Sequence, residues 1–270
     1  NIEKKELVCF LRRKNKHLYY IDDVPGYFFI LSNKNNKKNF TLYKTSLDKM
    51  SEINWKIFVA HKNNELIEDY LCFKDFIVLQ TRRNGLPKLI QVNRKSKKKT
   101  YIKFQENAYT VNLIGNNEYS AESFSFVYSS LKIPSSIFSQ NFYTSKRKKI
   151  WTQEVINHQE KNYETKRIFI SARDGKKVPI SLIYKKGIDL KSSPLLQYGY
   201  GSYGSVIEPS FKLTFMPLID EGFIFAIAHI RGGQDLGRDW YDQGRMLKKM
   251  NTFFDFIDCT KKLIARGIGN

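Results

Sequence analysis

The sequence predicts a partial β-propeller of about three blades in residues 1–153, followed by an α/β domain in residues 154–270. Short runs of β-branched and aromatic residues, separated by turns rich in Asn, Lys and Gly, fill the first part. These runs recur with a fixed period, which is typical of a repeated β-unit. From about residue 166 strand patterns alternate with helix patterns, which indicates a sheet with parallel strands.

The period of the first part is carried by Phe29, Val78 and Val127, which lie 49 residues apart. Each lies in an apolar run that is followed by a turn and a second run, as in the blades of a propeller. The Asn84-Gly85 pair predicts a tight hairpin, because both central residues of a type I′ turn need a positive φ. A β-sandwich with evenly spaced strands is the alternative. Three blades do not close a ring, so we expect at least one open edge and further blades outside this chain.

The second part begins with a predicted hairpin and ends with a predicted helix. Residues 166–172 and 178–184 flank the tight turn at Asp174-Gly175. The elements that follow are a strand in residues 194–198, a short helix in 216–222, an apolar strand in 223–229 and a helix from Asn251 to Gly267. We expect this sheet to be mostly parallel.

The last helix has two predicted features. Thr252 and Asp255 fit a capping box at its start. Its apolar positions predict one buried stripe, made of Phe253, Phe256, Ile257, Thr260, Leu263 and Ile264.

Composition excludes several classes of protein. Of 270 residues, 41% are hydrophobic and 27% charged, which argues against extensive disorder. The longest apolar run falls short of the ~18 residues that a membrane span needs. Three widely spaced cysteines fit neither a disulfide framework nor a zinc site, so we expect a cytoplasmic protein without a metal. The net charge of +20 allows an acidic partner, but the charges are spread along the chain and we interpret them as a solvated surface.

The segment Gly199-Tyr-Gly-Ser-Tyr-Gly204 matches the G-x-G-x-x-G pattern of dinucleotide sites and follows an apolar strand. Such a site needs a helix that starts at once, so that its N-terminus meets the pyrophosphate. Pro209, with Val206 and Ile207 before it, argues against a helix there. An NADP site is therefore the weaker alternative.

The same turn also fits a hydrolase. Tyr200 lies between two glycines that allow the backbone to turn tightly. A phenol held at such a turn can donate a hydrogen bond to a developing oxyanion. Packing of the three turn tyrosines on neighbouring loops would explain the pattern equally well.

Residues 166–270 resemble the start of the catalytic domain in the oligopeptidase B branch of the prolyl oligopeptidase family of serine peptidases. The matching residues are Ala172-Arg-Asp-Gly175, Val178-Pro179, Tyr198-Gly-Tyr-Gly-Ser-Tyr-Gly204, Arg231-Gly-Gly233, Gly237, Trp240, Gly244 and Asn251-Thr-Phe253. Arg83-Asn-Gly-Leu86 resembles the propeller of that branch. The resemblance implies an α/β-hydrolase domain capped by a seven-bladed propeller. It also implies hydrolysis of short peptides after Arg or Lys by a Ser-His-Asp triad, without a cofactor.

One functional residue carries over from the family, namely Tyr200 as the side-chain donor to the oxyanion. No G-x-S-x-G elbow occurs in the sequence, and Ser202 has Tyr200 where the first glycine should be. We therefore expect the triad to lie beyond this chain, and the chain alone to be inactive. We expect Arg231-Gly-Gly233 to line the same cleft as Tyr200, and His229 to be a packed core residue rather than a base.

The expected partners are short basic peptides and the missing C-terminal catalytic half, with neither a membrane nor a nucleic acid. The net charge of +20 would repel basic peptides at long range, and this tension stays open. A non-catalytic basic binding module of propeller type is the alternative to a peptidase. A steep salt dependence of binding would identify such a module.

Overall fold

The computed structural model describes residues 7–116 and 118–270. The first part forms three four-stranded antiparallel sheets, in which neighbouring strands follow one another along the chain. The strands are β1 (Tyr19–Val24), β2 (Tyr27–Ser32), β3 (Thr41–Ser46) and β4 (Lys56–Val59); β5 (Leu66–Cys72), β6 (Phe76–Arg83), β7 (Leu86–Asn93) and β8 (Lys99–Tyr101); and β9 (Tyr109–Leu113), β10 (Ser123–Ser130), β11 (Ser136–Asn141) and β12 (Arg147–Thr152).

The 49-residue period of the sequence matches the spacing of these three sheets along the chain. Phe29, Val78 and Val127 lie on β2, β6 and β10, the second strand of each sheet. The predicted hairpin joins β6 to β7, with Arg83 paired to Leu86. Asn84 and Gly85 both have positive φ, 53° and 75°, as a type I′ turn requires. The prediction of about three propeller blades is confirmed, and each blade has four antiparallel strands.

A fourth sheet, called the mixed sheet below, has the order β13-β14-β16-β15. Its strands are β13 (Tyr163–Ser171), β14 (Lys177–Lys185), β15 (Leu195–Tyr198) and β16 (Ile224–Ala228). β14 is antiparallel to both β13 and β16, and only β15 and β16 are parallel among the described strands. The expectation of a mostly parallel sheet is therefore wrong here, because the tight turn at Asp174-Gly175 reverses the chain before the crossover begins.

The helices are α1 (Met216–Asp220), α2 (Arg238–Asp242) and α3 (Met250–Ala265). Short 3-10 turns occupy Lys34–Asn36, Glu52–Asn54, Glu160–Asn162, Leu213–Phe215 and Met246–Lys248. Gly267, with φ 68°, follows α3 as predicted. None of the helices in the described ranges has the length and apolar character that a bilayer crossing requires.

The start of α3 corrects two predictions. No side-chain cap forms there, because the hydroxyl of Thr252 and the carboxylate of Asp255 bind Arg231 instead. Of the predicted buried stripe, Leu263 is buried, and Phe256 and Thr260 are half-buried. Phe253, Ile257 and Ile264 are exposed. The helix is turned so that Thr252, Asp255 and Cys259 face inward.

Two compact units make up the chain, Asn1–Ile67 and Glu68–Asn270. In the second unit, apolar residues cover both faces of the mixed sheet. Ile180, Leu182 and Ala226 pack with Cys259 and Leu263 of α3. On the opposite face, Ile183 and Ile227 form a cluster that includes Ala108 and Leu131 of the third blade. The division into residues 1–153 and 154–270 stays a prediction.

Candidate active site

Tyr200 lies on the turn that follows β15. Its side chain is 47% exposed, and within the described ranges its hydroxyl has no hydrogen-bond partner. Gly201 has φ 63°, and a Cβ there would lie 2.4 Å from Cγ2 of Thr252 and 2.8 Å from the carbonyl oxygen of Arg231. Only glycine fits this position, so the turn can run close to α3 while the phenol stays accessible.

A second glycine loop, residues 231–233, holds the turn from the side. The amide of Gly204 donates to the carbonyl of Gly232 over 2.9 Å, and Gly204 and Gly233 form an isolated β-bridge. The two backbones approach so closely that a Cβ at Gly232 would lie 2.0 Å from the carbonyl oxygen of Gly201. The glycines of residues 199–204 and of residues 231–233 are therefore needed because the two backbone segments are in close contact.

Lys249 joins the same turn to the start of α3. Its ammonium group donates to the carbonyl of Gly201, and to the hydroxyl of Ser202 over 2.7 Å. Burial lowers the pKa of Lys249. Ser202 is thus bound by a lysine in the turn, in agreement with its interpretation as a turn residue. No pattern in the sequence pointed to Lys249.

Arg231 does not line a cleft, contrary to the prediction. Its side chain is only 2% exposed. The guanidinium donates to Asp255 (Nε to Oδ2, 2.8 Å) and also binds Asp174. Burial alone would lower the pKa of Arg231, but these carboxylates outweigh it and raise the pKa. The backbone of the loop borders the Tyr200 turn, while the arginine anchors the loop inside the protein.

His229 lies between a serine and an aspartate, but in the core. Its Nε2 is 2.9 Å from Oγ of Ser181, and its Nδ1 is 2.8 Å from Oδ1 of Asp235. All three side chains are buried. Burial lowers the pKa of His229; Asp235 opposes this, and Arg167 and Arg82 add to it. Burial thus favours the neutral form of the ring, and His229 is packed in the core, as expected.

The turn lacks the helix that a dinucleotide site needs. Residues 205–212 form no regular element, and the next helical turn starts at Leu213. No helix N-terminus is available at Gly204 to meet a pyrophosphate. The glycine pattern therefore serves the contact with residues 231–233.

Family models cover both parts of the chain. The model for the N-terminal β-propeller domain of prolyl oligopeptidase matches residues 2–153. The chain belongs to the prolyl oligopeptidase family. The model for the catalytic part of the family matches residues 209–270. The fold is accordingly a section of the family's propeller followed by the start of its catalytic domain.

Individual relatives agree with this assignment. The chain is 36% identical over 251 residues to the dipeptidyl aminopeptidase BI of Pseudoxanthomonas mexicana, covering 92% of this chain and 35% of the relative. It is 31% identical over 255 residues to Protease 2 of Moraxella lacunata, covering 93% and 36%. The chain thus spans about a third of the length of the relatives it matches.

Solved structures give the same result. Oligopeptidase B from Trypanosoma brucei, in a closed form with covalently bound antipain, is similar with a TM-score of 0.90 and 33% identity. Oligopeptidase B from Leishmania major is similar with a TM-score of 0.90 and 30% identity. Each comparison covers 97% of this chain and 38% of the solved chain.

Proposed function

We propose that this chain supplies the oxyanion donor and part of the propeller of a serine oligopeptidase that cleaves short peptides after Arg or Lys. The triad serine, histidine and aspartate come from outside these 270 residues, and no cofactor takes part. The observation that carries the proposal is the half-exposed side chain of Tyr200, whose hydroxyl no described residue binds, on a turn that is fixed by residues 231–233, Lys249 and Thr252.

The chemistry follows from that geometry. Attack of a serine on a peptide carbonyl places negative charge on the oxygen, and a fixed phenol stabilises this charge by donating a hydrogen bond. A donor that is already aligned needs no reorganisation at the moment of reaction. The hydroxyl of Tyr200 is not occupied by another residue of the described chain, so it is available for the substrate.

The free edge of β15 in the described part of the mixed sheet supports the proposal that the rest of the catalytic domain adds its strands there. β15 pairs only with β16 among the described strands. A further parallel strand on this edge would end beside the Tyr200 turn, since parallel strands carry their sites at their carboxyl ends. Backbone bonds from Gly269 to Leu190 (2.8 Å) and from Asn270 to Ser193 (3.0 Å) lie at the amino end of the same edge.

The test uses the enzyme restored from this chain and the rest of a catalytic domain. Tyr200→Phe should lower kcat by about 10²-fold and leave KM nearly unchanged, because the bond forms mainly in the transition state. Tyr203→Phe is the matched control, since Tyr203 lies on the same turn and is 84% exposed. An unchanged kcat for Tyr200→Phe would refute the proposal.

Specificity needs a separate measurement. Oligopeptidase B is the name of the two similar structures, whereas a relative with 36% identity is named a dipeptidyl aminopeptidase. The two activities can be distinguished by measuring the cleavage of peptides that carry Arg or Lys before the scissile bond. Each peptide is tested with a free and with an acetylated amino terminus. Cleavage regardless of acetylation supports the oligopeptidase, and a requirement for a free terminus supports removal of dipeptides.

We also propose that the enzyme is cytoplasmic. The sequence has three widely spaced cysteines, which fit neither a disulfide framework nor a zinc site, and this pattern is typical of a reducing compartment.

A further inference from the structure

Residues 205–211, called the strap below, connect the Tyr200 turn to the propeller. The strap has no regular secondary structure. At its start, Gly204 is bound to Gly232, and the amide of Ser205 donates to the carbonyl of Ser202 over 2.9 Å. The strap therefore continues directly from the turn that carries Tyr200.

The first anchor of the strap is an ion pair with a propeller arginine. Arg82 of β6 is 3% exposed and binds the carboxylate of Glu208 in the strap. Its Nε donates to Glu68 of β5 over 2.6 Å. Burial alone would lower the pKa of Arg82, but Glu208 and Glu68 outweigh it and raise the pKa. A charge-assisted contact of this kind, shielded from water, is both strong and directional.

The second anchor is a hydrogen bond to the third blade. The amide of Phe211 donates to Oγ of Ser129 on β10 over 3.0 Å, and Ser129 is 1% exposed. The ring of Phe211 is buried in the cluster that contains Ala108 and Leu131. Both hydrogen-bonded anchors therefore belong to propeller strands and not to the mixed sheet.

The tip of the β6–β7 hairpin is held in turn by the mixed sheet. Nη2 of Arg167 on β13 donates to the carbonyl of Asn84 over 3.0 Å. Nη1 of the same guanidinium donates to Oγ of Ser181 over 2.9 Å. A Cβ at Gly85 would lie 2.4 Å from Nη2 of Arg167. Arg82 of the propeller thus binds the strap, and Arg167 of the mixed sheet binds the hairpin that carries Arg82.

We propose that Arg82 is a positioning residue for Tyr200: it holds Glu208, and thereby the strap, so that the phenol is aligned only while the hairpin is docked. The catalytic meaning of this role rests on the function proposed above. The mechanical part does not, because it concerns only contacts inside this chain. Arg82 touches neither the substrate nor the reacting atoms.

Hydrogen exchange of the 270-residue chain tests the mechanical part. Arg82→Met should speed amide exchange in residues 199–211 by about tenfold or more, because local opening of the strap becomes easier. Exchange in α3 should stay as it is. Arg83→Met is the matched control: Arg83 is the next residue of the hairpin, is exposed, and has no ion-pair partner in the described chain. Unchanged exchange in residues 199–211, or an equal rise in the control, would overturn the proposal.

A second variant covers the case in which Arg82→Met does not fold. Glu208→Ala removes the strap's side of the contact and leaves Arg82 bound to Glu68. It should produce the same local increase in exchange at residues 199–211. If Glu208→Ala leaves this segment as protected as in the unchanged chain, the proposal is wrong.

Kinetics of the restored enzyme then test the catalytic part. Arg82→Met should lower kcat, with KM nearly constant, because a misaligned donor weakens the transition state more than substrate binding. Arg82→Lys, which keeps the charge, should recover part of the loss. If Tyr200→Phe lowers kcat and Arg82→Met does not, the positioning role of Arg82 is refuted, whereas the proposed function of Tyr200 is retained. If neither variant changes kcat, the oxyanion role of Tyr200 fails, and with it the catalytic role of Arg82.

Discussion

The guanidinium of Arg231 binds both carboxylate oxygens of Asp255, and neither side chain is accessible to water. The pair joins the glycine loop of residues 231–233 to α3, 24 positions further along the chain. Arg231→Met should lower the free energy of unfolding by about 3–5 kcal/mol, because a buried carboxylate loses its partner. Urea unfolding followed by circular dichroism measures the change.

The control for this prediction is an exposed ion pair of the same domain. Arg245 binds Asp242 three residues earlier, with a side chain that is 47% exposed. Arg245→Met should cost at most about 1 kcal/mol. Equal losses in the two variants would contradict the assignment of Arg231 as a buried anchor.

Gly201→Ala should destabilise the Tyr200 turn through both its backbone and its packing. Gly187→Ala is the control: Gly187 also has a positive φ (86°), but a Cβ there would meet no atom within 4 Å, whereas Gly201 is crowded. We expect Gly201→Ala to cost about 1–3 kcal/mol more than Gly187→Ala, which is the effect of overpacking. Thermal unfolding of the two variants measures the difference, and equal costs would exclude a close contact at Gly201.

Stability should depend on pH through His229. Since burial lowers its pKa in the folded state, the unfolded chain takes up a proton near pH 6.5 that the folded chain does not. Its contribution is therefore complete above about pH 6.5 and is lost as the pH falls below that value, by at most about 1.4 kcal/mol per unit. His229→Gln should reduce this slope in urea titrations between pH 5 and 7. A variant with the unchanged slope would show that another group titrates.

Ser202 should not react with a fluorophosphonate probe in the isolated chain. Its hydroxyl is bound to the ammonium group of Lys249, and His229 is occupied by Ser181 and Asp235 in the core. Among the described side chains only Lys249 is bound to Ser202, and because it donates as an ammonium group it does not accept the serine proton. We therefore expect no labelling under conditions in which a control serine hydrolase is fully labelled. Stoichiometric labelling of Ser202, located by mass spectrometry, would refute the proposal that the nucleophile lies outside this chain.

The sequence predicted the blades well, because their signals are local. Alternating apolar residues and the Asn84-Gly85 turn determine a hairpin without reference to distant residues. The hairpin of β13 and β14 was also predicted correctly. The expectation of a mostly parallel sheet was wrong, since apolar runs such as residues 224–228 do not encode the orientation of their neighbours.

The errors in α3 have a different origin. Thr252 and Asp255 satisfy the local rule for a cap, but Asp255 neutralises Arg231 in the core. An unpaired buried charge destabilises the fold far more than a missing helix cap does, so the pairing with Arg231 determines where the Asp255 side chain lies. That partner could not be identified from spacing along one chain, and neither could Lys249 beside Ser202 or Arg82 beside Glu208.

The order β13-β14-β16-β15 also sets a sequence of events during synthesis. β15 is complete at Tyr198, but its one partner among the described strands is β16, which ends 30 residues later at Ala228. At ribosomal rates of about 5–20 residues per second, β15 remains without a strand partner for roughly 2–6 s. Each blade, by contrast, pairs its strands in the order in which they emerge. Among the described sheets, the mixed sheet is therefore the one whose synthesis leaves a strand without a partner for longest, and an unpaired strand recruits other strands.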